Sequence, residues 1–360
     1  MAFQAIKAPP KLDEAEALER LARSPVHVGE ANDRFYAIDH PALFHWVDRA
    51  ILSVLNVEIG DVPEVRPDKD YYWHIAHNQI APRDAVIVLR WANVAALAAA
   101  FVMVYLISRL ICGGHLWGFV AVVPLAFSRT LAADVGGYIK TDAYLAFFLA
   151  LSLYLWLRFH ATARPQRLAH LLAMGLVTGL AVSTKLNGGL LLLAYCLYLV
   201  IICRGGDRLM APFLSCLIAF TIFVIVNPVM QHGGISGMAC ALREMLEQRA
   251  FTYRMHDLKL GPKSAGFMFL FMFPRWYLLP VLAVVIAAAR REKWFLPVIL
   301  WSLFLILGTA FTIKQPFNRY LMPIVFGLTL PAMLSAIMLA QKRARGALAL
   351  SEILNPQTRA

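Results

Sequence analysis

Residues 85–111 read AVIVLRWANVAALAAAFVMVYLISRLI. A helix rises 1.5 Å per residue and needs about 20 apolar residues to cross the hydrocarbon core of a bilayer. This stretch meets that length with room to tilt. Eight further apolar runs surround it, at 115–130, 142–158, 168–184, 188–203, 210–228, 276–290, 294–313 and 319–341. Several sit near the lower limit of about 17 residues. The pair between 168 and 203 is interrupted by Lys185-Leu186-Asn187-Gly188-Gly189. The pattern predicts an all-α polytopic membrane protein with about nine transmembrane helices.

Composition agrees. Of 360 residues, 60% are hydrophobic and 16% are charged, against about 25% charged in a soluble domain. Mean hydropathy is +0.62 and the formal net charge is +12. These figures exclude a disordered chain, a fibrous repeat and an ordinary cytosolic enzyme. Cys112, Cys196, Cys203 and Cys216 lie in apolar runs, where a thiol behaves as a small hydrophobe, and Cys240 lies in a polar stretch.

Lys and Arg in short loops set orientation. One set of loops holds twelve: Arg109; Arg158, Arg164 and Arg167; Arg204 and Arg208; Arg290, Arg291 and Lys293; Lys342, Arg343 and Arg345. The opposite set holds five: Arg129, Lys140, Lys185, Lys314 and Arg319. The first set is then cytoplasmic. That places residues 1–84 outside as an N-terminal segment, a membrane domain at 85–341 with an outer loop at 229–275, and a basic cytoplasmic tail at 342–360. Residues 1–84 hold no h-region and do not read as a signal peptide. Either the first span carries this tail across, or a further span precedes it.

Three amphipathic elements flank the spans. Leu12 to Arg23 reads as an acidic helix, with Asp13 and Glu14 in a first turn that suits carboxylates. Tyr36-Ala37-Ile38-Asp39-His40-Pro41 reads as an extended turn that opens a helix from Ala42 to Leu55. Leu43, Val47, Ile51 and Leu55 make its apolar stripe, which suits a helix lying on the membrane surface or on the spans. The outer loop repeats the pattern at 235–252, where Met238, Leu242, Met245 and Leu246 share a face.

Charged groups at span ends on one side of a membrane are the functional candidates. Asp142 opens the third span behind Lys140-Thr141. It reads either as a first-turn carboxylate or as an acidic group at the water boundary. Asp39 beside His40 either shapes a turn or serves a site. Asp13 and Glu14 either compensate a helix dipole or supply a base. Lys185, Lys314 and Arg319-Tyr320 either snorkel or hold a phosphate. Their sum matters most: positive charge on the outer face, where it is disfavoured, suits a lipid-linked phosphate. His74 and His77, three apart, suit a metal only with a third ligand, and Tyr71, Tyr72 and Trp73 beside them read as interface anchors.

These residues resemble a known family. Tyr36-Ala37-Ile38-Asp39-His40-Pro41-Ala42-Leu43 resembles the Asp-His-Pro-Pro-Leu element of the protein O-mannosyltransferase-like and aminoarabinose-transferase-like membrane glycosyltransferases. Lys140-Thr141-Asp142-Ala143-Tyr144-Leu145-Ala146-Phe147-Phe148 resembles their Pro-Asp-x-x-Leu-x-Phe-Phe span opening. Gly175 through Gly188 is similar to their Gly-Leu-Ala-x-Ser-Thr-Lys-Tyr-Asn-Gly stretch, and Asn227-Pro228 and Asn318-Arg319-Tyr320-Leu321-Met322-Pro323 follow in order. No single element is specific, but their order from 36 to 323 matches the GT-C membrane fold.

The resemblance implies transfer of a sugar from a polyprenyl-phosphate carrier to an acceptor glycan, lipid or protein on the outer face of the membrane, which is the plasma (inner) membrane if the source is bacterial. Membrane lipids are the other partners, and nucleic acid is not one. Asp39, Asp142, Asp13 and Glu14 fall at acidic, catalytic positions. His40, Lys140, Lys185, Arg319 and Tyr320 fall at substrate and carrier-phosphate positions. A divalent metal is left open. Three departures stand out: no span precedes the first outer loop, Ala42 replaces the second proline, and no soluble domain follows the last span. Two rivals share the basic outer face. A transporter or flippase of lipid-linked substrates predicts broken helices and inverted repeats, and no such repeat is seen. A truncated, non-catalytic relative acting as an assembly protein predicts no turnover.

Overall fold

A computed structural model describes residues 43–57, 83–128, 131, 141–161, 167–185, 188–227, 239, 295–312 and 322–354. The expected helix at 12–23, the outer loop at 229–275 apart from residue 239, and the span at 276–290 lie outside the described residues. The described chain is helical: α1 (Leu43–Val54), α2 (Arg83–Cys112), α3 (His115–Ala126), α4 (Thr141–Ala161), α5 (Arg167–Thr184), α6 (Gly189–Ile202), α7 (Asp207–Val226), α8 (Phe295–Thr312) and α9 (Met322–Leu354). Arg83–Cys112, Thr141–His160 and Asp207–Val226 are long and apolar enough to cross a membrane on their own. His115–Ala126, Leu168–Thr184, Gly189–Ile202, Leu296–Thr309 and Val325–Met338 are shorter apolar helices.

Glycine makes the reversals. Gly113 (φ 67°) and Gly114 (φ 86°) end α2 in a backbone region that L side chains avoid, and the chain folds back into α3. The Gly113 N–H donates to Arg109 O at 3.0 Å and closes the last turn. At the α5–α6 junction the Gly188 N–H donates to Lys185 O at 2.8 Å. A Cβ at Gly188 would overlap the Ala181 carbonyl group, so only glycine lets α6 start so close to α5.

The helices are apolar outside and mixed inside, as lipid demands. Trp91 is 69% exposed and Phe127 85% exposed, and Leu209 and Phe213 are exposed as well. The interior buries Ser108, Ser152 and Thr178, whose hydroxyls donate to Val104 O (2.9 Å), Leu149 O (2.7 Å) and Met174 O (2.7 Å) one turn back. In lipid the hydrophobic effect does not pull helices together, and close packing of small residues does. α5 presents Gly175 and Gly179 to α7, where they meet Ser215, Ile218, Ala219 and Ile222. Trp301 of α8 reaches α4, where its Nε1–H faces Leu149 O at 3.2 Å and Ser152 Oγ at 3.3 Å. Trp156 of α4 meets Tyr195 and Tyr198 of α6 edge-on, with centroids 5.6 and 5.0 Å apart.

Two expectations are revised. The α1 stripe is rotated by one residue. Among its described side chains Asp48 and Leu52 are the buried ones, and Leu55, just past the helix, is 55% exposed. The last helix runs past 341, the expected end of the last span. It continues to Leu354, and Gln341 Nε2 donates to Cys112 O at 2.7 Å, satisfying a carbonyl at the α2 terminus.

Candidate functional site

α4 begins at Thr141, with Asp142 in its first turn, and α5 ends at Thr184. The two helices run antiparallel, so the start of one meets the end of the other. Lys185 Nζ donates to Asp142 Oδ1 at 2.6 Å. Asp142 is 3% exposed and Lys185 is 7% exposed. Each charge also suits its own helix. A carboxylate in a first turn faces the positive end of the macrodipole, and a cation past a last turn faces the negative end. Both helices thus share the cost of burying the pair.

Two hydroxyls adjoin this pair in the chain. Thr141 Oγ1 and Ser183 Oγ are buried and have no hydrogen-bond partner among the described residues. A buried hydroxyl without a partner is costly and uncommon. One sits on each helix, within two residues of an ionised group.

Sequence reasoning missed Asp48. It lies on α1, and Tyr144 of α4 donates its hydroxyl to Asp48 Oδ1 at 3.0 Å. Burial pushes the Asp48 carboxyl up from 3.8 to about 6, against the hydrogen bond from Tyr144, which lowers it. Tyr144 is two residues beyond Asp142, so this bond ties α1 to the end of α4 that carries the ion pair. A juxtamembrane helix that begins two residues after Pro41 is thereby held beside the Asp142–Lys185 pair.

Of the residues singled out in the sequence, the structure joins Asp142 and Lys185. Asp13, Glu14, Asp39, His40, Lys140, Arg319 and Tyr320 lie outside the described residues, as do His74 and His77. Among the described residues no three His, Cys, Asp or Glu side chains gather as a metal needs. Asp142 already carries an ammonium on Oδ1, so the described residues do not fit a divalent cation.

Residues 65–236, which contain the ion pair, match the profile of a family described as dolichyl-phosphate-mannose-protein mannosyltransferase. The oligosaccharyltransferase of Archaeoglobus fulgidus, tethered with an acceptor peptide containing the NVT sequon, superposes with a TM-score of 0.52. It does so at 12% identity over 84% of this chain and 41% of its own. The same enzyme in the apo form gives 0.50 at 11% identity, over 90% of this chain and 51% of its own. The chain carries the GT-C fold. ArnT from Cupriavidus metallidurans in the apo state gives a TM-score of 0.47 at 14% identity, over 83% of this chain and 49% of its own. The GT-C chain described here spans about half the length of these structures. No curated protein matches it by sequence.

Proposed function

We propose that this GT-C chain belongs to a membrane glycosyltransferase that moves a sugar from a polyprenyl-phosphate carrier to an acceptor hydroxyl on the extracytoplasmic face. The observation that carries the reading is the buried Asp142–Lys185 pair at one end of the bundle. An ionised pair at the edge of a membrane domain is a functional candidate by default, because an apolar pair of similar volume would hold the helices as well. The family match over 65–236 supports it.

In the proposed reaction a carboxylate of the first outer loop, Asp39 or Asp13, takes the acceptor's proton. The acceptor oxygen bonds to the anomeric carbon as the bond from that carbon to the carrier phosphate oxygen breaks. Polyprenyl phosphate leaves with the electron pair. Lys185 stabilises its charge, joined by Lys140 and Arg319, and His40 and Tyr320 contact the substrate.

The test is release of polyprenyl phosphate from a polyprenyl-phosphate-linked sugar, dependent on acceptor, by the full chain in membranes. Asp39→Asn and Asp142→Asn should each lower release at least 100-fold with normal membrane expression. Full release in both variants would overturn the assignment. Movement of the intact donor across the membrane without release would make the protein a transporter.

A further inference from the structure

We propose that Asp142 is the resting counter-ion of Lys185: a carrier phosphate displaces it on binding, and it reclaims the ammonium to expel the spent carrier. This rests on the reading above for the identity of the ligand, a phosphate monoester on a polyprenyl chain. It adds that the site closes on itself when empty.

Three features support the exchange. The pair is buried with Nζ 2.6 Å from Oδ1, so Lys185 is engaged by an anion from its own chain. An arriving phosphate must compete with that carboxylate for the same ammonium. Second, Asp142 sits in the first turn of α4, where the positive end of the helix dipole favours its charge after displacement. The helix end therefore offsets part of the cost of opening the pair. Third, Thr141 Oγ1 and Ser183 Oγ are buried and have no partner among the described residues. Each is a donor within two residues of the pair, of the kind a phosphate oxygen accepts from. The Lys185 backbone is pinned by the Gly188 N–H at 2.8 Å, so exchange requires motion of the side chain and not of the turn.

The consequence is a variant that binds better and works worse. Removing the Asp142 charge removes that carboxylate's competition for the ammonium. Asp142→Asn should bind a short-chain polyprenyl phosphate about tenfold tighter than the wild type, which is about 1.4 kcal/mol. Release of carrier after transfer should slow with it. Lys185→Gln should weaken binding about tenfold or more, and the double variant should bind like Lys185→Gln.

Binding to the purified chain in nanodiscs, with no sugar and no acceptor, tests this separately from turnover. Inorganic phosphate as competitor distinguishes a headgroup site from one that needs the lipid. Competition at millimolar phosphate assigns recognition to the headgroup, as proposed. Asp142→Asn binding no tighter than the wild type, while folded, would overturn the exchange. So would unchanged binding in Lys185→Gln. If Asp142→Asn does not fold, the wild type decides: carbodiimide labelling of Asp142, read by mass spectrometry, should rise when polyprenyl phosphate is added. Constant labelling at saturating ligand would refute displacement. A chain that binds as described yet transfers no sugar would sink the glycosyltransferase reading and leave the exchange standing.

Discussion

At pH 7, replacing Asp48 by Asn should dock α1 more tightly, although it removes a hydrogen-bonded acid. Asn keeps an oxygen acceptor for the Tyr144 hydroxyl, which lies 3.0 Å from Asp48 Oδ1. What it removes is the cost of burying a charge. Burial holds the Asp48 carboxyl at about 6, against an ordinary 3.8. A raised carboxyl means that the docked helix binds more protons than the undocked one. Docking is therefore strongest below about 3.8, and that stability is lost as pH rises through about 6. At 1.36 kcal/mol per pH unit the ceiling is about 3 kcal/mol. Arg49 and Ala50, next to Asp48, are exposed, so water screens the carboxylate. A working value is about 1–2 kcal/mol, or about 5–30-fold in local opening. Hydrogen exchange of the α1 amides, corrected for intrinsic rate, reads this directly. Wild-type protection should fall between pH 4 and pH 7, and Asp48→Asn should stay level. The two should coincide at pH 4. If the variant is less protected at pH 7, or if the gap persists at pH 4, the buried-charge argument is wrong.

The packing makes two further predictions. A Cβ at Gly179 would lie 2.8 Å from Ala219 O and 3.0 Å from Ala219 Cα. This is backbone that cannot swing away, so Gly179→Ala should lower thermal stability in detergent by about 1–3 kcal/mol. Gly189→Ala, whose Cβ meets only Val182 Cγ2 at 3.9 Å, is the control and should change stability little. Cys196 Sγ and Cys216 Sγ are 3.4 Å apart across α6 and α7. Copper-phenanthroline should therefore remove two free thiols per chain and link the two helices, and Cys216→Ser should abolish the link. Two free thiols retained after oxidation would show that α6 and α7 do not pack as described.

The described apolar helices were legible because a bilayer imposes length and apolarity on every crossing helix. Residues 85–111 could be read as a crossing helix without knowing a single contact, and α2 covers them. Asp142 and Lys185 were each legible as charges at span ends, but not as a pair. They are 43 residues apart, and hydropathy carries no information about which helix ends meet. Asp48 was not legible at all. On a helical wheel it borders the stripe of Leu43, Val47 and Ile51, and binary patterning assigns an aspartate to the wet face. A tyrosine 96 residues away overrides that assignment by donating into the buried face. The trace left in the sequence was Leu52, four residues on from Asp48 and buried with it, which moves the true stripe by one position.

The Asp142–Lys185 pair is hard to explain as a fastener. α5 already has a stronger attachment, since its Gly175 and Gly179 bring the α7 backbone into contact. α4 is held by the aromatic cluster around Trp156 and by Trp301 from α8. A buried ion pair adds little to such a frame, because desolvating two charges offsets their attraction. It does supply a cation held at a fixed place by a fixed turn, shielded from stray anions by a carboxylate. That combination matters where the partner is a phosphate that must both bind and leave. A bare lysine would hold the phosphate too well, and an apolar pair would not hold it at all. If the carboxylate sets the affinity between these limits, as proposed, its loss should appear as tighter binding and slower release rather than as unfolding.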